Sequence, residues 1–328
     1  MVAKKYDVVA LGEILIDFTF AGKSAGGKNL YEENPGGAPA NCVSAVCKLG
    51  GKGAFVGMTG YDSFGDDVRS VLEAIHVDTS AMRRTQKQHT TLAFVSLDAN
   101  GERSFSFCRN PGADTQLAVS DLDSSMLAST AILHVGSLSL TDEPSKSAEL
   151  DAISQVKKAG GFISYDPNYR ENLWKGRSDA IDEMKSVFPF ADLVKVSEEE
   201  LALLFGSGLS YEDGAKKILE YGAKLVLITL GSKGVYYAAK VGAQSFCGTL
   251  GVPSVKVVDT TGAGDSFTGG LLYRITRRDN PFEFTKEEIE RDIAFANAVA
   301  SLCVTKRGAI PALPTLEDTQ KFMSEHNM

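Results

Sequence analysis

The chain has 328 residues, 43% of them hydrophobic, enough apolar material for one large globular domain with an appendage, or for two domains, which excludes a disordered chain. Its 34 lysines and arginines stand against 42 aspartates and glutamates, a net charge of −8, so no basic excess exists to neutralise a nucleic-acid backbone or an anionic membrane surface. The five cysteines (Cys42, Cys47, Cys108, Cys247, Cys303) lack metal-ligand spacing, and Asp7, Glu13 and Asp17 interrupt the N-terminal apolar stretch; a cytoplasmic protein with reduced thiols and no membrane span is expected.

Taken in chain order, short β-branched runs alternate with amphipathic segments. The runs are Asp7–Leu11, Gly53–Val56, Ala131–Val135, Gly161–Tyr165, Asp192–Val196 and Leu225–Thr229. Continuous apolar strands separated by helices predict a doubly wound α/β fold, its mainly parallel central sheet covered by helices on both faces. A helix is predicted over 39–49, with Pro39 in its first turn and Gly50 past its end, and Phe64, Val68, Leu72 and Ile75 mark the apolar face of the next.

Two stretches break this rhythm. Residues 14–33 run through Ile14–Phe20 into a Gly/Lys-rich loop, and residues 88–110 read as a hairpin: Thr91–Leu97, the turn Asp98-Ala-Asn-Gly101, then Glu102–Arg109. Side chains alternate along a strand, so Arg103, Phe105, Phe107 and Arg109 share one face. That face is turned either to a ligand, making these strands a small β-sheet lid on a single domain spanning 1–328, or to cross-strand pairing with solvated arginines.

The segment from Asp259 to Leu272, Asp-Thr-Thr-Gly-Ala-Gly-Asp-Ser-Phe-Thr-Gly-Gly-Leu-Leu, carries the densest chemistry. Small residues at 262–264 let backbone N–H groups converge at a helix start, where about half a positive charge favours an anion. Asp265 stands where a carboxylate is near a bound phosphate and still reaches a hydroxyl, as a general base for phosphoryl transfer requires. By itself Gly-Ala-Gly-Asp also reads as a structural turn with a capping aspartate. Gly269 and Gly270, each costing a helix about 1 kcal/mol relative to Ala, predict close backbone packing.

This string resembles the second signature of the ribokinase-like (PfkB) carbohydrate kinases, and Gly36-Gly37-Ala38-Pro39-Ala40-Asn41 resembles the first. The resemblance runs from about residue 6 to 323 and implies a ribokinase-like fold and an ATP-dependent sugar kinase. It makes Asp265 the base and the Gly262, Ala263 and Gly264 amides the anion hole. It makes Asp17, Gly36, Gly37 and Asn41 the sugar floor; on its own Asp17 also reads as a solvated strand-end charge. Phe107 and Arg109 match positions used by hexose and keto-acid kinases, and Asp166–Trp174 resembles a segment whose arginine, here Arg170, reaches the substrate. Together these look most like the fructokinase branch, which phosphorylates the 6-hydroxyl of fructose. The alternatives are 2-keto-3-deoxygluconate kinase, which shares both arginines, another PfkB sugar kinase, or a sugar-binding regulator without catalysis.

For ATP, the resemblance implies Thr229, Gly231 and Gly234 at a strand-to-turn and Asn297 in an adenine pocket, although a strand-closing turn and an asparagine bonding nearby backbone account for the same residues. Lys195 is either a counter-charge for phosphate or a solvated lysine. The family's Asn-x-x-Glu motif stands here as Ser197-Glu-Glu-Glu200, which keeps Glu200 for Mg²⁺ through water but replaces the asparagine. Asp259, Thr261, Cys303, Lys306, Gly308 and Ala312 match the K⁺ loop, mostly through backbone carbonyls. The expected partners are a small sugar and ATP, and the lid suits a homodimer.

Gly22–Asn29 nearly fits a Walker A loop, but Asn29 stands in place of the Mg²⁺-binding hydroxyl and Leu30–Pro35 does not continue as a long helix. The four histidines (His76, His89, His134, His326) have no ligand spacing and are expected in structural or surface roles.

Overall fold

The computed structural model describes residues 4–97 and 103–328. The first half contains β1 (Tyr6–Leu11), β2 (Leu15–Lys23), β3 (Asn29–Gly36), α1 (Ala38–Lys48), β4 (Gly53–Gly60), α2 (Ser63–Ala74), β5 (Met82–Thr85), β6 (Thr91–Leu97), β7 (Arg103–Cys108), α3 (Ser124–Ala128), β8 (Thr130–Val135) and α4 (Ser145–Lys158). The second half contains β9 (Phe162–Tyr165), α5 (Arg177–Val187), β10 (Leu193–Ser197), α6 (Glu198–Phe205), α7 (Tyr211–Leu219), β11 (Leu225–Thr229), β12 (Val235–Val241), β13 (Gln244–Leu250), α8 (Ala263–Ile275), α9 (Lys286–Cys303) and α10 (Leu316–Glu325).

All six apolar runs become strands of one sheet, ordered β13-β12-β11-β10-β9-β8-β1-β4-β5. Pairing is parallel from β5 through to β11, and β12 runs antiparallel to both β11 and β13. Strand alternation explains the continuous apolar character: Val9 and Leu11 join a core with Leu133, Ile163 and Val194, whereas Val8 joins another with Ile132, Leu193 and Leu225. Helices α3 to α7 cover the first face, and α1, α8 and α9 cover the second. Helix α2 packs Val68 and Leu72 beside α1, with Phe64 and Ile75 at the rim.

A separate four-stranded sheet has the order β3-β2-β6-β7. The strand leaving Ile14 runs on to Lys23, turns at Ser24–Lys28 and returns as β3, so residues 29–36 are a strand where a loop was expected. The near-Walker string is this hairpin's turn. β3 is polar and mostly exposed, so it carries no alternation to read, and β2 supplies its pairing. The turn 98–101 and the side chains of Arg103 and Phe105 lie outside the described residues. Strands β5, β12 and β13 were not expected; β5 and β13 form the two edges of the large sheet, and β12 lies between β13 and β11.

The close packing expected of Gly269 and Gly270 is present. A Cβ on Gly269 would lie 2.4 Å from the Cys42 carbonyl oxygen of α1, and one on Gly270 would lie 3.1 Å from Val299 Cγ2 of α9. Helix α8 is thus held tightly between α1 and α9, with Leu271, Leu272 and Ile275 fully buried at roughly 1.5–3 kcal/mol each. His134 is buried and hydrogen-bonds Ser164 at 3.0 Å, a structural role.

Candidate active site

A cavity of about 540 Å³ opens at the C-terminal ends of β1, β8, β9, β10 and β11, beneath the small sheet. Strand order reverses around β1, which lies between β8 and β4, and ligands of open α/β sheets bind at such a switch point. The N-termini of α1 and α8 both point there and bring Asn41 and Asp265 onto its wall.

Their meeting is built from the glycines. Gly37 caps α1 with φ 118°, a conformation open to glycine, and a Cβ there would lie 2.4 Å from the Glu13 carbonyl oxygen. Glu13, just past β1, reaches back so that Ala38 N–H donates to its Oε1 at 2.9 Å, capping α1 from outside the helix. Gly262 opens α8 at φ 73°, where a Cβ would come within 2.7 Å of Ala309 Cβ. With Gly269 allowing α1 and α8 to close up, Asn41 Nδ2 donates to Asp265 Oδ2 at 2.8 Å across the seam.

Burial pushes the Asp265 carboxyl up to about 6, against the downward pull of the Asn41 hydrogen bond. Asn41 Oδ1 is buried without a hydrogen-bond partner in the protein, so the same amide keeps an acceptor for a ligand hydroxyl. Lys195 Nζ pairs with Asp166 Oδ2 at 2.9 Å, and a Cβ on Gly264 would sit 2.9 Å from that nitrogen. The ammonium therefore stands over the N-terminus of α8. Burial alone would lower its pKa, but the Asp166 and Glu200 carboxylates outweigh this and raise it, so it stays charged. Lys195 is buried and paired, which removes the solvated reading. The Ala263 N–H leans on the Thr260 carbonyl at 3.3 Å, which leaves the Gly264 and Asp265 amides as donors of the helix's first turn.

The cavity is also lined by Asp17, Phe107, Arg170, Thr229, Gly231 and Thr261. Gly36 stands behind Asp17, where a Cβ would lie 2.7 Å from Asp17 Oδ2. Other expected residues do not line it. Arg109 is buried in an ion pair with Asp114, five residues on, at 2.7 Å, and Thr141 and the Leu138 carbonyl, remote in sequence, take its other two nitrogens. Asn297 is buried in α9 and donates to the Gly251 carbonyl at 3.0 Å, the backbone-bonding reading. Gly234 ends a turn at φ 100°, and a Cβ there would collide with the Leu250 carbonyl of β13.

Glu200 lines a neighbouring cavity that shares Asn168, Arg170, Lys195, Ser197 and Glu199 with the first. Its carboxylate accepts from Ser197 N–H and Tyr169 N–H, both at 2.7 Å, while Ser197 Oγ accepts from Glu200 N–H at 3.1 Å. The serine that replaces the family asparagine is therefore half of a capping box on α6. Ser197→Ala is expected to cost about 1 kcal/mol and lower the melting temperature by a few degrees, read by thermal denaturation. An unchanged melting curve would remove the cap from the account.

The 259–261 and 303–312 segments meet through Asp259, whose Oδ1 accepts from Thr261 N–H at 2.9 Å and whose Oδ2 accepts from Gly308 N–H at 3.0 Å. Cys303 Sγ contacts the carbonyls of Thr261 and Ala309 at 4.0 and 3.9 Å. Ala312 is buried beside Ile310, and Lys306 ends the turn after α9. Glu13, Asp166 and Glu199 are the acidic residues the sequence reading left without roles. Each is a polar residue at or just past the end of an apolar strand, which was the available signal.

The pfkB family carbohydrate kinase model matches residues 5–316. Fructokinase-1 of Oryza sativa subsp. japonica is 44% identical over 320 residues, covering 96% of this chain and 97% of the relative. The crystal structure of a Xylella fastidiosa fructokinase with bound ATP superposes with a TM-score of 0.90 at 32% identity, covering 98% of this chain and 100% of that one. A double-mutant fructokinase of Vibrio cholerae O395 with fructose, ADP and potassium ion bound gives a TM-score of 0.85 at 34% identity, over 98% and 99% of the two chains.

Proposed function

The chain belongs to the pfkB family of carbohydrate kinases, and from that premise we propose that it phosphorylates the 6-hydroxyl of fructose with ATP. The observation that carries the reading is the Asn41–Asp265 contact at 2.8 Å, with Lys195 over the same helix N-terminus. Asp17, Asn41, Phe107 and Arg170 hold the sugar. The carboxylate of Asp265 takes the hydroxyl proton, the oxygen forms a bond to the γ-phosphorus, and the bond to the bridging oxygen breaks with its electron pair going to ADP. Lys195 and the first-turn amides of α8 meet the negative charge carried by the transferring group. Thr229 and Gly231 hold the nucleotide end.

Among the described residues no group of three or more His, Cys, Asp or Glu could hold a metal ion, which suits Mg²⁺ brought in on nucleotide phosphates with most of its waters. Glu199, exposed on the wall shared by the two cavities, is the carboxylate that would hold it; Glu200, with both oxygens on backbone amides, would act through water. When bound, the ion would neutralise phosphate charge. The segments joined by Asp259 suit a K⁺ loop of backbone carbonyls, with Thr261, Cys303, Lys306, Gly308 and Ala312 along it.

The small sheet acts as a lid that excludes water. Its edge strand β3 exposes Leu30 and Tyr31, at 47% and 40%, which supports pairing of two copies through the lid. Among the described residues no helix is long and apolar enough to cross a membrane, and the five free cysteines suit a reducing cytoplasm.

With a base whose carboxyl ionises at about 6, kcat/KM should rise with pH through that value and level off above it. Asn41→Ala removes a hydrogen bond that favours the ionised form, so the acid limb should move to higher pH. A profile flat down to pH 5 would exclude Asp265 as the base. Across a panel of sugars and 2-keto-3-deoxygluconate, with and without K⁺, ADP release should be fastest on fructose. A higher kcat/KM on the keto acid would reverse the assignment.

A further inference from the structure

Resting on the fructokinase reading, we propose that Arg109 is a positioning residue and not a sugar ligand. Its buried pair with Asp114 latches the small sheet to the cavity wall and keeps a second cation out of the sugar end, which favours an uncharged ketose over a sugar acid.

Each of the three guanidinium nitrogens donates to a protein acceptor. Nε donates to Asp114 Oδ2 at 2.7 Å, Nη1 to Thr141 Oγ1 at 2.9 Å and Nη2 to the Leu138 carbonyl at 2.8 Å. Both members of the ion pair are 2% exposed at the side chain. Asp114 spends its other oxygen on the Thr91 hydroxyl of β6. Gly112 makes room for this knot, since a Cβ there would strike Thr91 Oγ1 and lie 2.7 Å from Asp114 Oδ1.

The latch ties the segment from the end of β7 to Asp114 to two others that the fold brings to it, β6 and the turn after β8. Two of these three segments carry cavity wall. Phe107 stands two residues before Arg109, and Leu138 offers the carbonyl that Nη2 grips; both side chains line the cavity. Fixing the guanidinium therefore fixes the separation of those two apolar walls. Turning Arg109 toward a ligand carboxylate would strand Asp114 as an uncompensated buried charge, and a ligand must supply that energy before it gains any contact. Among the described residues Arg170 is left as the arginine on the cavity wall.

A double-variant cycle on the full chain separates latch from ligand. Arg109→Met and Asp114→Leu each break the pair and leave a buried charge; the double variant removes both charges, and Thr141 Oγ1 still donates to the Leu138 carbonyl at 2.8 Å. Each single variant should lower the melting temperature and raise the KM for fructose about tenfold with less change in kcat, and the double should return to within about threefold of the parent KM and recover most of the melting temperature. Its preference for fructose over 2-keto-3-deoxygluconate should be unchanged.

A KM that stays high in the double variant, or a selective loss of the keto acid there, would make Arg109 a substrate contact and overturn the proposal. If a single variant does not fold, the double against the parent decides alone. A parent enzyme inactive on fructose would refute the fructokinase reading instead, while the melting temperatures of the cycle would still score the latch.

Discussion

Asp265→Asn is expected to lower kcat about 10³-fold while fructose binding, followed by calorimetry, survives. The substitution is isosteric, and the replacement amide oxygen can still accept from Asn41 Nδ2, which now lies 2.8 Å from the carboxylate. What is lost is the capacity to take a proton. The sign of the stability change separates this from a folding defect. Burial raises the carboxyl to about 6, above its ordinary range, so at pH 8 the folded state holds an ionised group that the fold disfavours. Removing that charge should leave the melting temperature unchanged or raise it at pH 8, and the gain should vanish as pH falls below the ordinary aspartate range. Near-normal turnover in this variant would end the general-base mechanism.

Lys195→Met should reduce kcat/KM for ATP by about 10²–10³-fold and move the acid limb of the pH profile above 6. Both effects follow from one position. The ammonium lies over the N-terminus of α8, beside Gly264, and its charge lowers the Asp265 pKa. Taking it away weakens the charge that meets the phosphates and leaves the base harder to ionise. The same substitution leaves Asp166 buried and unpaired, with Oδ1 already lacking a partner, and breaking such a pair costs about 3–5 kcal/mol. Combining Lys195→Met with Asp166→Asn should restore folding but not activity toward ATP. Recovery of both together would mean that Lys195 serves the fold alone.

These expectations grew from features of uneven visibility in the sequence. The strands of the central sheet were legible because each is buried on both faces and must be apolar throughout. The edge strands β5 and β13 and the polar β3 were not, because their pairing comes from a neighbour and not from their own pattern. Asn41 and Asp265 were each visible in a glycine-rich string, but their direct contact depends on how closely α1 and α8 approach at Gly269. Glu13 lay in plain view after β1, and only its bond to Ala38 N–H makes it a helix cap.

The sequence by itself determined the reaction class and marked Asn41 and Asp265 as candidates for its centre. The steric demands of glycine are local: both strings are rich in small residues, and the structure holds Gly37 at φ 118° and Gly262 at φ 73°. Tertiary structure alone decided where the charged and polar side chains point. Arg109 and Arg170 look alike in sequence, yet Asp114, Leu138 and Thr141 bury the first while the second stays on the cavity wall. Thr229 and Gly231 line the cavity, whereas Asn297 is drawn to the Gly251 carbonyl. A long polar side chain takes its direction from the partners that offset its desolvation, and of those of Arg109 only Asp114 is near in sequence, while Leu138 and Thr141 arrive when the chain folds.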